Sequence, residues 1–265
     1  MEWMVAYLML GAIAGFLGGM FGIGGGTVLV PILLMLFEAQ HFNPENAMHL
    51  ALGSAMSVII FTALASTRKH HQLGAVNWRV VFGISPGIFL GTALGAFFAA
   101  RFSTNFLTIF FSLFLVFAAT QILLDIRPHA ARQLPGFSGL TLVGTFTGWL
   151  STLVSVGGGT ITVPFLIWCN LSLRNAIGTA SAIGFPISVG GTLGYIFTGL
   201  HSAGLPQPSL GYVYLPAMLG CAAASVITAP MGAKAAHRIN VALLRKIFAV
   251  MLLGLAIKML FKVLV

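Results

Sequence analysis

Residues 11–31 read GAIAGFLGGMFGIGGGTVLVP, and residues 144–164 read GTFTGWLSTLVSVGGGTITVP. The two segments lie 133 positions apart, and nine of their 21 aligned positions are identical. Each contains the pattern GGGT-x2-VP inside an apolar stretch that is too long for one membrane-spanning helix. We therefore expect an internal duplication in which each copy carries a helix interrupted at three consecutive glycines.

Two further blocks extend the duplication along the chain. Residues 51–55 align with 176–180, and residues 74–101 align without gaps with 211–238. Three blocks in the same order indicate that the whole first half was copied. The predicted organisation is a first transmembrane repeat at 1–124, a polar cytoplasmic linker at 125–137 and a second transmembrane repeat at 138–265.

The composition indicates whether water or lipid surrounds this protein. Of 265 residues, 58% are hydrophobic and 6% are charged, whereas a soluble globular chain carries about 25% charged residues. This excludes a soluble enzyme, a disordered chain and a nucleic-acid binder, and it makes the lipid bilayer the expected surroundings. The apolar stretches are long and solidly apolar rather than alternating, which predicts helices and not strands. The net charge of +9 rests on scattered Lys and Arg, as membrane loops require.

The distribution of Lys and Arg predicts how the repeats are oriented. If every apolar stretch crossed once, the two sides would hold seven and six basic residues. If the glycine-rich stretches turn back, the halves are inverted and the sides hold ten and three, which is the asymmetry of the positive-inside rule. The predicted fold is an all-α polytopic membrane protein with two inverted-topology repeats, each with a Gly-broken re-entrant or paired helix plus three spanning helices. Both termini are predicted outside the cytoplasm.

The two GGGT elements are the candidate substrate site. Glycines leave backbone N–H groups accessible, and a helix that begins inside the membrane presents free N–H groups and a positive dipole end, which attract anions. Broken helices in corresponding positions of inverted repeats are typical of a transporter's central site. The alternative is that glycines only allow tight helix packing, which we favour for Gly11, Gly15, Gly18 and Gly19. The candidate binding residues are Gly24, Gly25, Gly26, Thr27, Gly157, Gly158, Gly159 and Thr160, with the matching hydroxyls of Ser54 and Thr179. For these two hydroxyls, back-bonding to the helix is the alternative.

The ionisable residues restrict the chemistry further. All four carboxylates lie at the ends of apolar stretches, which argues against a carboxylate-based proton or cation carrier. Arg101 and Arg238 are preserved by the duplication, and they are candidates for gating, with snorkelling at helix ends as the alternative. His49, inside an apolar run, is the candidate for proton coupling, with a hydrogen-bonded structural role as the alternative. No catalytic residue, metal site or cofactor is expected.

The glycine motifs make a resemblance specific. FGIGGGTVLVP, VSVGGGTITVP, the Ala-x-Gly-Ser/Thr blocks at 51–54 and 176–179, and GAVNW at 74–78 resemble the TauE/SafE family of membrane permeases, also called TSUP. The resemblance covers nearly the whole chain. It implies a secondary transporter of the bacterial inner membrane for sulfur-containing anions such as sulfite or organosulfonates, often acting as an exporter. One departure is EAQHFNPEN at 38–46, eight residues longer than its counterpart, which predicts a longer external loop.

The predicted function is therefore the movement of a small anion by alternating access, with no enzymatic activity. An anion channel, or a transporter of another small anion or metabolite, remains the alternative. A membrane-embedded redox protein and a metal-cation carrier are disfavoured by the residues present. The expected partners are a small anionic substrate and the lipid bilayer, with no nucleic acid. Proton coupling and a homo-oligomer are left open.

Overall fold

The computed structural model describes residues 2–22, 24–124, 132–238 and 242–264. In these ranges the chain forms ten α-helices and one two-stranded antiparallel hairpin. The first five helices are α1 (Glu2–Phe21), α2 (Gly26–Ala39), α3 (Pro44–Gln72), α4 (Trp78–Ala99) and α5 (Thr104–Leu123). The others are α6 (Phe137–Val154), α7 (Gly159–Trp168), α8 (Leu173–Gly199), α9 (Leu215–Arg238) and α10 (Ala242–Leu264), with β1 (Ser209–Leu210) and β2 (Val213–Tyr214) before α9. Most of the predicted linker, residues 125–131, lies outside the described residues.

The two halves repeat one succession of helix lengths. Helices α1 to α5 have 20, 14, 29, 22 and 20 residues, and α6 to α10 have 18, 10, 27, 24 and 23. The short second helix follows the glycine triplet in each half, as the duplication predicts. Seven of the described helices are long and apolar enough to cross a membrane. This confirms the prediction of an all-α polytopic membrane protein.

Each short helix turns back along the molecule. At one end of α1, the Gln40 side-chain amide donates to the Tyr7 hydroxyl at 2.7 Å. At the other end, a methyl group placed on Gly18 would lie 2.7 Å from the backbone nitrogen of Gly25. Helix α2 is therefore antiparallel to α1. The second half behaves likewise, because the Arg132 N–H, just before α6, donates to the carbonyl of Trp168 at the end of α7 at 3.2 Å.

The two ends of the helix bundle are thereby defined. We call the end with Tyr7 and Gln40 the amino-terminal face, and the end with Arg132 and Trp168 the linker face. The outcome at 38–46 differs from the expected long loop. Helix α2 continues to Ala39 and α3 begins at Pro44, so five of the nine residues are helical, two at the end of α2 and three at the start of α3.

Glycines join the first helix of each half to the fourth helix of the other. Helix α1 packs along α9, where Gly11, Gly15 and Gly19 face Cys221, Ser225 and Ala229. Helix α4 packs along α6, where Gly87, Gly91 and Gly95 face Thr141, Thr145 and Trp149. Residue numbers rise together in each ladder, so α1 is parallel to α9 and α4 is parallel to α6. The packing interpretation of Gly11, Gly15 and Gly19 is confirmed, whereas Gly18 faces the glycine turn that follows it.

Candidate functional site

The two glycine turns meet near the middle of the bundle. A methyl group on Gly24 would lie 3.2 Å from the Cα of Gly157, its equivalent in the duplication. It would also lie 2.9 Å from Ile59 Cγ2, and one on Gly184 would lie 3.0 Å from the carbonyl oxygen of Gly157. Ile59 and Gly184 are near the midpoints of α3 and α8. The interruptions therefore sit at about half the depth of the two longest helices.

Both short helices begin there, each at the last glycine of its triplet. Gly25 and Gly158 are the N-caps, with φ of 82° and 80°, and neither helix start has a side-chain cap. Because L side chains rarely adopt this conformation, glycine is required at both positions. The first intrahelical bonds run from Val28 N–H to the Gly25 carbonyl at 3.1 Å and from Ile161 N–H to the Gly158 carbonyl at 3.0 Å. The N–H groups before them carry the positive ends of two helix dipoles.

A threonine stands beside each helix start. Thr27 and Thr160 are equivalent in the duplication and have exposed fractions of 1% and 7%. Within the described residues, neither hydroxyl oxygen has a hydrogen-bond partner. A buried polar group without a partner costs about 1–3 kcal/mol. The same cost at equivalent positions indicates that these hydroxyls have a use other than stabilising the bundle.

Ser54 and Thr179 connect the halves by equivalent bonds. The Ser54 hydroxyl accepts from the backbone N–H of Tyr214 at 2.9 Å, and the Thr179 hydroxyl accepts from that of Asn77 at 3.0 Å. Tyr214 precedes α9 and Asn77 precedes α4, so each hydroxyl fixes the start of a helix of the other half. A hydroxyl has one donor hydrogen as well as its lone pairs, so both groups keep a hydrogen to donate. Sequence reasoning did not foresee these bonds.

One carbonyl near the end of α1 and one near the end of α6 are also contacted by side chains in an equivalent way. The Tyr195 hydroxyl donates to the carbonyl of Thr152 at 2.9 Å, and His70 Nε2 lies 3.1 Å from the carbonyl oxygen of Gly19. The acceptors lie in the last turns of α6 and α1, and the Thr152 carbonyl also accepts from the Ser155 N–H at 3.4 Å. Tyr195 and His70 occupy matching positions of α8 and α3. The turns are thus supported from the long helices that flank them.

The three gating and coupling candidates lie away from the turns or outside the described side chains. The exposed Arg101 guanidinium stacks on the Phe97 ring, 3.4 Å from its centroid, and donates to the Phe97 carbonyl at 3.1 Å. His49 is 5% exposed and its Nε2 lies 3.0 Å from the Ala99 carbonyl oxygen, so this nitrogen is the donor. Both residues belong to the amino-terminal face. The Arg238 side chain is not among those described.

Two residues that the sequence reasoning missed lie on α6. Thr147 and Ser151 are fully buried, and in the described part of the chain neither hydroxyl oxygen has a partner. A methyl group on Gly158 would lie 3.6 Å from Thr147 Cγ2, so this face of α6 looks onto the start of α7. Comparison of the two repeats could have found them, because the matching positions of the first half hold Ala14 and Gly18, which have no hydroxyl.

The described residues offer little for metal or acid chemistry. Among them, no group of three or more His, Cys, Asp or Glu side chains could hold a metal ion. Cys169 and Cys221 are free thiols and both are buried. Glu38 forms an ion pair with Lys262 at the amino-terminal face. The side chains that lie nearest the glycine turns are hydroxyl-bearing or aliphatic, such as Thr147, Ile59 and Ile187, so the positive potential there comes from backbone dipoles.

A helical bundle with broken helices meeting at half depth defines a polytopic membrane transport protein. The sequence profile of the family described as Sulfite exporter TauE/SafE matches residues 7–259. The chain belongs to this family. It is 35% identical over 257 residues to a "Probable membrane transporter protein" of Haemophilus influenzae, covering 96% of this chain and 97% of that one.

More distant relatives have similar names. The "Probable membrane transporter protein MJ0441" of Methanocaldococcus jannaschii is 25% identical over 237 residues, covering 88% of this chain and 86% of that protein. The "Probable membrane transporter protein YdhB" of Bacillus subtilis is 28% identical over 200 residues, covering 72% and 76%. No solved structure matches the chain. The relatives agree on membrane transport, and their names state no substrate.

Proposed function

We propose that this protein is a secondary transporter that moves a small sulfur-containing anion, sulfite or an organosulfonate, across the inner membrane. The observation that carries the proposal is the meeting of two uncapped helix starts at half depth, each with a buried, unpartnered threonine hydroxyl. Such a site offers N–H and O–H donors without a charged side chain. In this proposal the oxyanion is bound between Gly24, Gly25, Gly26 and Thr27 of one half and Gly157, Gly158, Gly159 and Thr160 of the other. Ser54 and Thr179, which each keep a hydrogen to donate, are the further ligands that we propose.

The dipoles favour a particular charge on the substrate. Each helix start is equivalent to roughly half a positive charge, and two of them therefore offset about one negative charge. A sulfonate or hydrogen sulfite carries one negative charge, whereas sulfate carries two. We infer that monoanions bind better than sulfate.

The helix directions support inverted topology. Helix α1 is antiparallel to α2, and the short connection at 40–43 makes α3 antiparallel to α2. His49 beside Ala99 makes α4 antiparallel to α3. Since α6 is parallel to α4, the first helices of the two halves run in opposite directions. Movement of the α1–α2 and α6–α7 hairpins around the central turns would give alternating access.

Export follows from the sign of the charge. A membrane potential, negative inside, drives an anion outward with about 2.3 kcal/mol per charge per 100 mV. The alternative is an anion channel with the same site, which would show neither saturation nor counterflow in vesicles. Because Arg101 and His49 already make local contacts at the amino-terminal face, a gating or coupling role for them would require movement of α4 or α3.

The proposal is tested by thermal stabilisation of the purified protein with sulfite, methanesulfonate, taurine, sulfate, phosphate and chloride. A ligand at 100 times its Kd should stabilise the wild type by about 2.7 kcal/mol, and the Thr160→Val variant should lose most of this shift. Thr198→Val is the matched control, because its hydroxyl bonds to the Gly194 carbonyl within α8. If no sulfur oxyanion stabilises the wild type, or if Thr160→Val keeps the full shift, the central anion site is wrong.

A further inference from the structure

The two glycine turns are not equal in their surroundings. In the first half, a methyl group on Gly25 would lie 2.6 Å from the carbonyl oxygen of Ala14, so the turn rests on the backbone of α1. In the second half, the atoms nearest to such a methyl on Gly158 are side-chain atoms of Ile187, Thr147 and Thr162. Both short helices pack chiefly on the long helix that follows, α2 on α3 and α7 on α8, but α2 also packs against α1 whereas α7 makes little contact with α6. The space between the start of α7 and α6 is therefore lined by side chains.

The side chains of α6 at this place are hydroxyls without partners. Thr147 and Ser151 are four residues apart and so share one face of the helix. Both have an exposed fraction of 0%, and Thr160 at the start of α7 has 7%. Among the described residues, these three hydroxyl oxygens make no hydrogen bond. Thr147 lies beside Gly158, Ser151 is one turn further along the same face of α6, and Thr160 follows Gly158 by two residues; we call these three side chains the hydroxyl cluster.

Other hydroxyls of the same helix are satisfied. Thr152 donates to the Gly148 carbonyl and Ser155 donates to the Leu52 carbonyl, both at 2.8 Å. A helical Thr or Ser ordinarily has such a carbonyl within reach. Among the described residues of α6, the buried hydroxyls without partners are thus confined to the face that looks onto the start of α7. The first half has no such face, because Ala14 and Gly18 carry no hydroxyl.

We propose that the oxyanion is bound asymmetrically, at the start of α7, by the N–H groups of Gly159 and Thr160 and the hydroxyls of Thr147, Ser151 and Thr160. The first-half turn then packs on α1 without contacting the oxyanion, and the dipole of α2 adds to the positive potential at the site. This inference rests on the proposed anion transport, and it assigns the selection of the anion to side chains of α6. Hydroxyls both donate and accept, so the cluster also suits an oxyanion that carries a proton, such as hydrogen sulfite.

The test measures the affinity of purified, lipid-reconstituted protein for sulfite and methanesulfonate by titration calorimetry. Thr147→Val and Ser151→Ala should each weaken binding about tenfold, because each removes one hydrogen bond to a charged group. Thr27→Val, in the first half, should change affinity less than threefold. Thr152→Val is the matched control on the same helix, equally buried but with a satisfied hydroxyl, and it should bind like the wild type.

A second readout separates binding from folding. Removing an unsatisfied buried hydroxyl relieves a desolvation penalty, so Thr147→Val and Ser151→Ala should melt at or above the wild-type temperature without ligand. If Thr147→Val and Ser151→Ala bind like the wild type while Thr160→Val is impaired, the asymmetric site is wrong and the central anion site remains. Equal losses in Thr27→Val and Thr160→Val would also contradict the asymmetry. If the wild type binds neither anion, the proposed function fails with it.

Discussion

At the residue scale, glycine acts in two different ways in this protein. Gly25 and Gly158 supply positive φ at helix starts, whereas Gly87 supplies space between helices. A methyl group on Gly87 would lie 1.8 Å from the Thr141 carbonyl oxygen, a backbone atom that cannot move aside alone. The α4–α6 contact therefore requires the absence of a side chain at that position.

Gly87→Ala should lower the thermal unfolding midpoint, since overpacking of this kind costs about 1–3 kcal/mol. The measurement is unfolding in detergent followed by tryptophan fluorescence. Gly254→Ala is the control, because its new methyl group would meet nothing within 4 Å, and it should leave the midpoint unchanged or raise it. Equal midpoints for the two variants would contradict the close approach of α4 and α6.

At the element scale, the broken helices are held from outside their own hairpins. The last turn of α6 depends on the Tyr195 hydroxyl of α8, which satisfies the Thr152 carbonyl. Tyr195→Phe should destabilise the protein by about 0.5–1.5 kcal/mol, because a buried hydrogen bond is lost while the carbonyl keeps only the longer bond from the Ser155 N–H. Tyr214→Phe is the control, since within the described residues its hydroxyl makes no hydrogen bond. A stability of Tyr195→Phe within error of that control would show that the cap is dispensable.

Prediction from sequence succeeded where the information was local and repeated. The triplets Gly24–Gly26 and Gly157–Gly159 disclosed the interruptions, because no continuous helix of that length fits a bilayer. The sequence predicts a longer loop at 38–46, yet the added residues lengthen α2 and α3, and contacts such as Gln40 with Tyr7 hold the end of α2. Periodicity does not specify contacts between residues that are distant in the chain. It therefore predicted neither the partners of Ser54 and Thr179 nor the lack of partners at the hydroxyls of Thr147 and Ser151.

At the scale of the whole molecule, orientation in the membrane is the prediction to test. With the amino-terminal face outside, Gln133 beside the linker face is cytoplasmic, and it is exposed. A Gln133→Cys variant should react with an impermeant maleimide only after the cells are opened. Background labelling is low because both native cysteines are buried.

A green fluorescent protein fused to the carboxy terminus should stay dark in the same orientation. Fluorescent cells, together with maleimide labelling of intact cells, would show that the orientation is the opposite one.

The glycine ladder between α1 and α9 also has a consequence for synthesis of the chain. Helix α1 leaves the ribosome before α9, and the partner of its glycine face ends at Arg238. At about 5–20 residues per second, the interval is roughly 10–40 s, during which the small-residue face of α1 has no permanent neighbour. The insertion machinery or a chaperone must therefore hold an incomplete bundle during this time. A chain that ends before α9 leaves the glycine face of α1 unpacked, and we expect membrane proteases to degrade it.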